Sequence, residues 1–114
     1  MADHKAAVRR FWDEVIVNGD MAVFDELVSP DFVDLHRRTG DDATVLKGAI
    51  EQARTTLAGQ RFDEIQMAAE GDVVFALVDY TVTLPDGTNK TEQGVIYYRF
   101  ADGKIVENMM AAPA

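Results

Sequence analysis

His36 is the side chain in this sequence best suited to acid–base chemistry. An imidazole, with an ordinary pKa of about 6.5, can accept or donate a proton at physiological pH. His36 closes the segment Ser-Pro-Asp-Phe-Val-Asp-Leu-His, in which Phe32, Asp34 and His36 fall on one side of an extended chain. If that side faces an internal apolar pocket, His36 is a general base and Asp34 a candidate partner. The alternative is a structural histidine at a strand end, bonded to a backbone carbonyl or to solvent.

Three further side chains could complete a site around His36. Trp12 carries an indole N–H that only donates, so it can bind a substrate carbonyl or, as a core aromatic, meet a backbone oxygen. Tyr98 and Met109 are candidate lining residues, because a tyrosine hydroxyl anchors a polar ligand group and methionine adapts to irregular apolar shapes. Plain packing is the alternative role for both.

Asp79 and Tyr80 are neighbours in a predicted strand, so only one of them can face the pocket. If Asp86-Gly87 forms the centre of a two-residue turn, Asp79 lies on the same face as Ile96 and can orient His36. A bulge or a longer loop reverses the faces and turns Tyr80 inward. The sequence leaves both arrangements open.

The sequence does not favour metal or nucleotide chemistry. Its two histidines, His4 and His36, lie far apart, and there is no cysteine to supply a thiolate ligand or nucleophile. No glycine-rich phosphate-binding loop or dinucleotide fingerprint is present. We therefore expect a protein that works without a cofactor or a metal.

Composition indicates one globular domain over residues 1–114. Hydrophobic residues make up 47% of the chain and charged residues 27%, which is ordinary for a globular protein. The net charge of −9 would repel a phosphate backbone, so we expect no nucleic-acid partner. No apolar run is long enough to span a bilayer and no secretory leader is visible, so we expect no membrane association. The lack of cysteine fits a cytoplasmic location, which is the one we expect.

Apolar residues at three- and four-residue spacing predict three helices in the first half of the chain. Each is bounded by a capping or breaking residue. The predicted extents are Asp3 to Asn18-Gly19, Asp20 to Ser29-Pro30, and Leu46 to Leu57 with Gly59 closing the helix. Phe32–His36 is predicted to be a short extended segment and Arg37–Thr44 a loop.

The second half of the chain predicts four strands joined by tight turns. Their predicted extents are Phe62–Ala69, Val73–Leu84, Thr91–Phe100 and Lys104–Ala111. Helices followed by hairpin-linked strands indicate an α+β fold, in which a curved, mostly antiparallel sheet wraps around the three helices.

The long strands are apolar on both faces. In the second of them, Phe75 and Leu77 lie on one face and Val74 and Val78 on the other. One face is expected to meet the helices. Because exposed apolar faces are usually covered, we expect the outer face to meet a second copy of the chain in a homodimer.

Four motifs together resemble the nuclear transport factor 2-like superfamily, and most of all its SnoaL-like polyketide cyclase and ketosteroid isomerase-like group. They are Phe-Trp-x6-Gly-Asp from residue 11, Ser-Pro-Asp-Phe-Val-Asp-Leu-His from residue 29, the turn Glu70-Gly71-Asp72, and Arg-Phe-Ala-Asp-Gly-Lys-Ile-Val-Glu from residue 99. The resemblance covers nearly the whole chain. It implies a cone-shaped, cystatin-like roll with a deep, mostly apolar pocket, and in many members a dimer through the outer sheet face.

The resemblance also implies roles for single positions. Trp12 stands where ketosteroid isomerase has an oxyanion-holding tyrosine, His36 where it has its catalytic base, and Ile96 where it has a protonated aspartate. The acid that SnoaL-like cyclases carry in the last strand has no counterpart after Glu107. The arginine that epoxide hydrolases of the superfamily place two residues before an aspartate is replaced by Leu77 before Asp79.

Two functions therefore follow as hypotheses. In the first, a small apolar carbonyl or polyketide-like compound is isomerised, cyclised or hydrated with His36 as general base. In the second, the chain is a non-catalytic module that binds a hydrophobic ligand or serves dimerisation. The lost acids favour the second hypothesis, and the retained imidazole favours the first.

Overall fold

The computed structural model of the chain describes residues 3–35 and 41–111. The first helix comprises α1 (His4–Arg10) and a π-helical continuation, Phe11–Val17. Two more helices follow, α2 (Met21–Leu27) and α3 (Ala43–Thr56). The strands are β1 (Val28–Asp34), β2 (Asp41–Asp42), β3 (Gly59–Glu70), β4 (Val73–Thr83), β5 (Asn89–Ala101) and β6 (Lys104–Ala111).

Side-chain caps start all three helices. The carboxylate of Asp3 accepts a hydrogen bond from the backbone N–H of Ala6 at 3.0 Å, and that of Asp20 accepts from the second and third residues of α2. Both caps were predicted. Asp42 caps α3 in the same way, by accepting from Val45 N–H at 3.0 Å. Each cap satisfies a backbone donor that has no partner within its helix.

The strands form one sheet in the order β2-β1-β6-β5-β4-β3. Strands β3 to β6 are antiparallel neighbours, β2 is antiparallel to β1, and β1 runs parallel to β6. The predicted α+β fold with a mostly antiparallel sheet is therefore confirmed. Among the described residues, no helix has the length and apolar character needed to cross a membrane.

Two predictions around β1 need correction. The strand begins at Val28, four residues before the predicted start. The reason is that α2 ends at Leu27, before the predicted stop at Ser29-Pro30. The predicted loop Arg37–Thr44 contains β2 and the start of α3, while its residues 37–40 lie outside the described part.

The core lies between the first helix and the inner face of the sheet. Alternate residues of β4 and β5 point toward the helix, as the period of a strand requires. The buried members of this core include Val8, Phe11, Trp12 and Val15 from the helix, Val74, Ala76 and Val78 from β4, and Ile96, Tyr98 and Phe100 from β5.

Arg54 of α3 ties the end of the first helix to its neighbour. Its guanidinium donates to the backbone carbonyl of Val17, one of the carbonyls that a helix end leaves unpaired. Gly19 lies against the Arg54 side chain and has a φ of +73°, so a Cβ at this position would overlap that side chain. Gly48, in the middle of α3, has no such neighbour, since a Cβ added there meets nothing within 4 Å.

These two glycines make a matched pair of substitutions. Gly19→Ala should destabilise the fold by about 1–2 kcal/mol, because alanine resists the left-handed conformation and its methyl would displace Arg54. Gly48→Ala should stabilise by about 0.5–1 kcal/mol, because it raises helix propensity in open space. Urea denaturation measures both. Equal effects of the two substitutions would contradict the assigned role of Gly19.

Candidate functional site

A buried hydrogen bond lies at the centre of the core. The indole N–H of Trp12 donates to the hydroxyl of Tyr98 at 2.7 Å, and the two residues are only 3% and 2% exposed. The π-helical part of the first helix presents Trp12, and an inner position of β5 presents Tyr98. This bond joins the helix to the middle of the sheet.

The bond leaves Tyr98 as a neutral donor. Because the indole can only donate, the Tyr98 oxygen accepts this bond and keeps its own proton to give to another group. Burial raises the pKa of Tyr98 well above its ordinary value, so the hydroxyl stays protonated at any physiological pH. A carbonyl oxygen beside this hydroxyl would find a hydrogen-bond donor in apolar surroundings.

A polar row crosses the inner face at the level of Tyr98. The strand registers place Asn108 of β6 opposite Tyr98, and Asp34 of β1 beside Asn108. The Asn108 Oδ1 atom is buried, and no donor reaches it among residues 3–35 and 41–111. Buried amide oxygens are nearly always paired, so this row offers an unfilled acceptor close to the Tyr98 donor.

Aromatic rings extend the inner wall toward β3. Trp12 stacks on Phe62 with ring centroids 5.3 Å apart, and Phe62 meets Tyr80 at 4.7 Å. The Tyr80 hydroxyl donates to Gln60 Oε1 at 2.6 Å, and burial raises the pKa of Tyr80. The wall is therefore aromatic, and its one hydroxyl, that of Tyr80, is already donated to Gln60.

The β4–β5 register decides between Asp79 and Tyr80. Thr83 pairs with Asn89, which leaves five residues in the connection instead of a two-residue turn. Tyr80 therefore shares the inner face with Ile96, and Asp79 lies on the outer face opposite Gln93. Asp79 is not placed to orient an inward-facing imidazole, because side chains of adjacent strand residues point in opposite directions.

Ile96 lies on the inner face as expected, but Met109 does not. Met109 pairs with Tyr97 on the outer face and is 41% exposed. Its neighbour Met110 takes the inner position and lies over Gly94, where a Cβ would come within 2.9 Å of the Met110 Cε. The glycine leaves the room that this methionine fills, a relation between two strands that the local sequence does not reveal.

His36 lies outside the described residues, so the pocket that the sequence predicts around it stays a prediction. The roles predicted for His36, and its relation to Asp34, stay predictions. In the described part of the chain, no group of three or more histidine, aspartate or glutamate side chains is arranged to hold a metal ion.

The outer face of the sheet carries an apolar surface, called here the outer patch. Phe75 is half exposed and its ring contacts Tyr97 at 5.5 Å. Beside it, Arg99 and Tyr97 both donate to Glu107 Oε1, and the Arg99 guanidinium lowers the pKa of that carboxyl. The apolar members of the outer patch are Ile65, Phe75, Val95 and Met109.

A concave region, called here the α2–α3 groove, lies between α2, β1 and α3. It has a cavity of about 340 Å³. Its walls are Phe24, Asp25, Val28, Ser29, Pro30, Ala43, Thr44 and Lys47. These residues come from two segments that lie well apart in the sequence, 24–30 and 43–47, so no local spacing or motif could have grouped them.

This fold defines a class of small α+β rolls, and the comparisons with known proteins specify the family. The profile of the SnoaL-like domain matches residues 8–108, so the chain belongs to the SnoaL-like family. A search of curated protein sequences finds no match. The resemblance that the sequence motifs indicated is thereby confirmed.

Solved structures of similar fold are numerous. Wild-type IdmH, a candidate polyketide cyclase from Streptomyces antibioticus, is 18% identical with a TM-score of 0.81 over 95% of this chain and 90% of that one. A candidate polyketide cyclase from Acidithiobacillus ferrooxidans is 21% identical with a TM-score of 0.80 over 95% and 86%. AclR, a candidate hydroxylase from Streptomyces galilaeus, is 20% identical with a TM-score of 0.80 over 96% and 87%. At these identities the likeness establishes the fold alone.

The Trp12–Tyr98 bond predicts a specific loss of stability. Tyr98→Phe should destabilise the protein by about 1–3 kcal/mol, because it leaves a buried indole N–H without an acceptor. Tyr80→Phe is the control, since it removes a hydroxyl that is only half-buried and should cost about 0.5–1.5 kcal/mol. Urea denaturation followed by far-ultraviolet circular dichroism gives both values. A smaller loss for Tyr98→Phe than for Tyr80→Phe would contradict this account.

Proposed function

We propose that the protein binds a small, mostly apolar carbonyl or polyketide-like compound inside the roll and acts on it with His36 as general base. The reaction class is a cofactor-independent isomerisation, cyclisation or hydration. The observation that carries the proposal is the Tyr98 hydroxyl, a neutral buried donor that Trp12 holds on the inner face, next to Asn108 of the polar row.

The proposed roles of Tyr98 and His36 follow from the negative charge that develops on the ligand during proton removal. Removal of a proton next to a ketone moves negative charge onto the carbonyl oxygen. A hydroxyl aimed at that oxygen in a low-dielectric site stabilises the charge, since it needs no reorganisation and competes with no water. Tyr98 would be that donor, and Trp12 would orient its oxygen. The imidazole of His36 would take the proton from carbon and return it elsewhere on the ligand.

The aromatic wall fits a flat ligand. Trp12 and Phe62 stack in parallel and Tyr80 is tilted by 38° against Phe62, so a ring system would pack against this aromatic cluster with its oxygen toward Tyr98. The solved structures of similar fold include candidate polyketide cyclases, whose ligands by that name are oxygenated carbon chains or rings. These names support the ligand class for this chain as a proposal.

A second candidate function is binding without catalysis. It is favoured by the outward position of Asp79 and the apolar side chain of Ile96, because neither of these two positions supplies a carboxylate to the interior beside Tyr98. A general base usually gains from a second group that orients it or stabilises charge. The decisive difference between the two functions is whether His36 moves a proton.

Proton exchange on a bound ketone tests the catalytic proposal. With 2-tetralone as the probe in heavy water, the wild-type protein should accelerate exchange of the protons next to the carbonyl, as measured by NMR. His36→Gln should lower the accelerated rate at least about tenfold, because glutamine cannot act as a base at neutral pH. His4→Gln is the matched control and should leave the rate unchanged.

Binding of the same probe can be followed separately, because Trp12 is the only tryptophan in the chain. Its emission should change as the probe saturates the protein, in the wild type and in His36→Gln alike. Binding without acceleration of exchange by the wild type would leave the non-catalytic function, and acceleration that survives in His36→Gln would exclude His36 as the base. No change in Trp12 emission with this probe or larger aromatic ketones would remove the proposed interior site.

We also propose a homodimer through the outer patch. Phe75, Val95 and Met109 are each more than two fifths exposed, and they lie on adjacent strands of one face. Burial of a contiguous apolar surface of this kind stabilises association, at roughly 25 cal/mol per Å² of apolar area removed from water.

Light scattering at micromolar concentration should give twice the mass of one chain. Phe75→Glu should shift the mass to that of the monomer, because the interface would then bury an unpaired carboxylate. Val45→Glu is the control, since Val45 is equally exposed, at 49% against 50% for Phe75, but lies on α3. A monomeric wild type, or a dimer that survives Phe75→Glu, would refute this interface.

A further inference from the structure

We propose that the α2–α3 groove is a second ligand site, separate from the interior of the roll, and that it takes a small aromatic carboxylate. The groove opens on the side of the molecule where α2 passes into β1 and α3 begins. It does not include Trp12 or Tyr98, so its occupation is independent of the function proposed above.

The size and floor of the groove suit a small ring system. Its volume of about 340 Å³ lies at the lower end of the range for small-molecule sites, roughly 300–1,000 Å³. Phe24 and Val28 are buried members of its lining, and Pro30 and Ala43 add further apolar surface. These surfaces would cover the apolar body of a ligand with one or two fused rings.

The polar groups of the groove are mainly donors. The Lys47 ammonium lies 5.1 Å from the centre of the Phe24 ring and 2.8 Å from Asp25 Oδ1, which together hold it at the groove. The ammonium has three protons, of which Asp25 takes one. The Ser29 hydroxyl accepts from the N–H of Asp31 at 3.0 Å, so it also keeps a proton to donate. A ligand with acceptor oxygens matches this set.

Two ammonium groups near the groove offset its carboxylates in spite of the acidic chain. The carboxylate that faces the groove is Asp25, whose pair with Lys47 is open to solvent, with side-chain exposures of 68% and 33%. Exposed pairs of this kind contribute little, so a ligand carboxylate can share Lys47 or displace Asp25 readily. Lys104 adds a second ammonium, which donates to the Asp25 backbone oxygen at 3.0 Å. The carboxylate of Asp42 is already used as the cap of α3.

Titration of the full chain with 2-naphthoate, followed by amide NMR shifts, tests the site. Shifts should be confined to residues 24–30 and 43–47. Lys47→Met should weaken binding about tenfold or more, because it removes the charge-assisted bond and keeps an apolar stem. Asp25→Asn should bind at least as tightly as wild type, since it removes the competing carboxylate. Lys90→Met, at an exposed position of β5, is the control and should change nothing.

The neutral analogue 2-naphthamide has the same rings as 2-naphthoate but no charge. Comparing the two affinities separates the contribution of the carboxylate from that of ring burial. The amide should bind the wild type at least about fivefold more weakly than 2-naphthoate. Equal affinity for the two compounds, unchanged affinity in Lys47→Met, or shifts centred on the Trp12 indole instead of the groove would each overturn the proposal. If Lys47→Met does not fold, the comparison of the two compounds on the wild type and on Asp25→Asn decides alone.

Discussion

The bond from the Trp12 indole to the Tyr98 hydroxyl is the constraint on which the rest of this structure depends. Apolar burial is nondirectional and would tolerate several rotations of the first helix against the sheet. A hydrogen bond of 2.7 Å is directional, and its loss in the core is costly, so it selects one rotation. That rotation turns Val8, Phe11 and Val15 toward the sheet as well. The same bond leaves the Tyr98 proton available to donate, next to Asn108 of the polar row.

The number of residues in the β4–β5 connection determines which side chains of β4 face the interior. Five residues between Thr83 and Asn89 place Tyr80 inside and Asp79 outside, whereas a two-residue turn would have done the reverse. An inward Asp79 would sit among apolar side chains, where desolvation of its charge is expensive. On the outer face it costs little. The register thus makes the inner wall almost free of charge and leaves Phe75 with the other apolar residues of the outer patch exposed.

Local signals were sufficient for most of the fold. Asp3 and Asp20 were recognised as capping residues, which predicted the starts of the first helix and of α2. Turn residues predicted the bounds of β4, β5 and β6 to within about two residues. The features that the sequence could not supply depend on distant partners. The side of Met109 follows from pairing with Tyr97, and the groove follows from α2 meeting α3. Of the candidate site, the helix and strand positions of Trp12 and Tyr98 were predictable, but their mutual bond was not, because 86 residues separate them.

Strand β1 links the two regions proposed to bind ligands. Its pairing with β6 shifts register between Val28 and Val33, so the intervening residues arch away from the sheet and form one side of the groove. Pro30 has no N–H to give to a ladder, and the N–H of Asp31 is satisfied by the Ser29 hydroxyl instead of by a strand. Beyond the arch the ladder resumes and carries Asp34 to the polar row beside Asn108. Val28 and Phe32, near the two ends of the arch, are buried in the core, so this wall of the groove is anchored on both sides of Pro30.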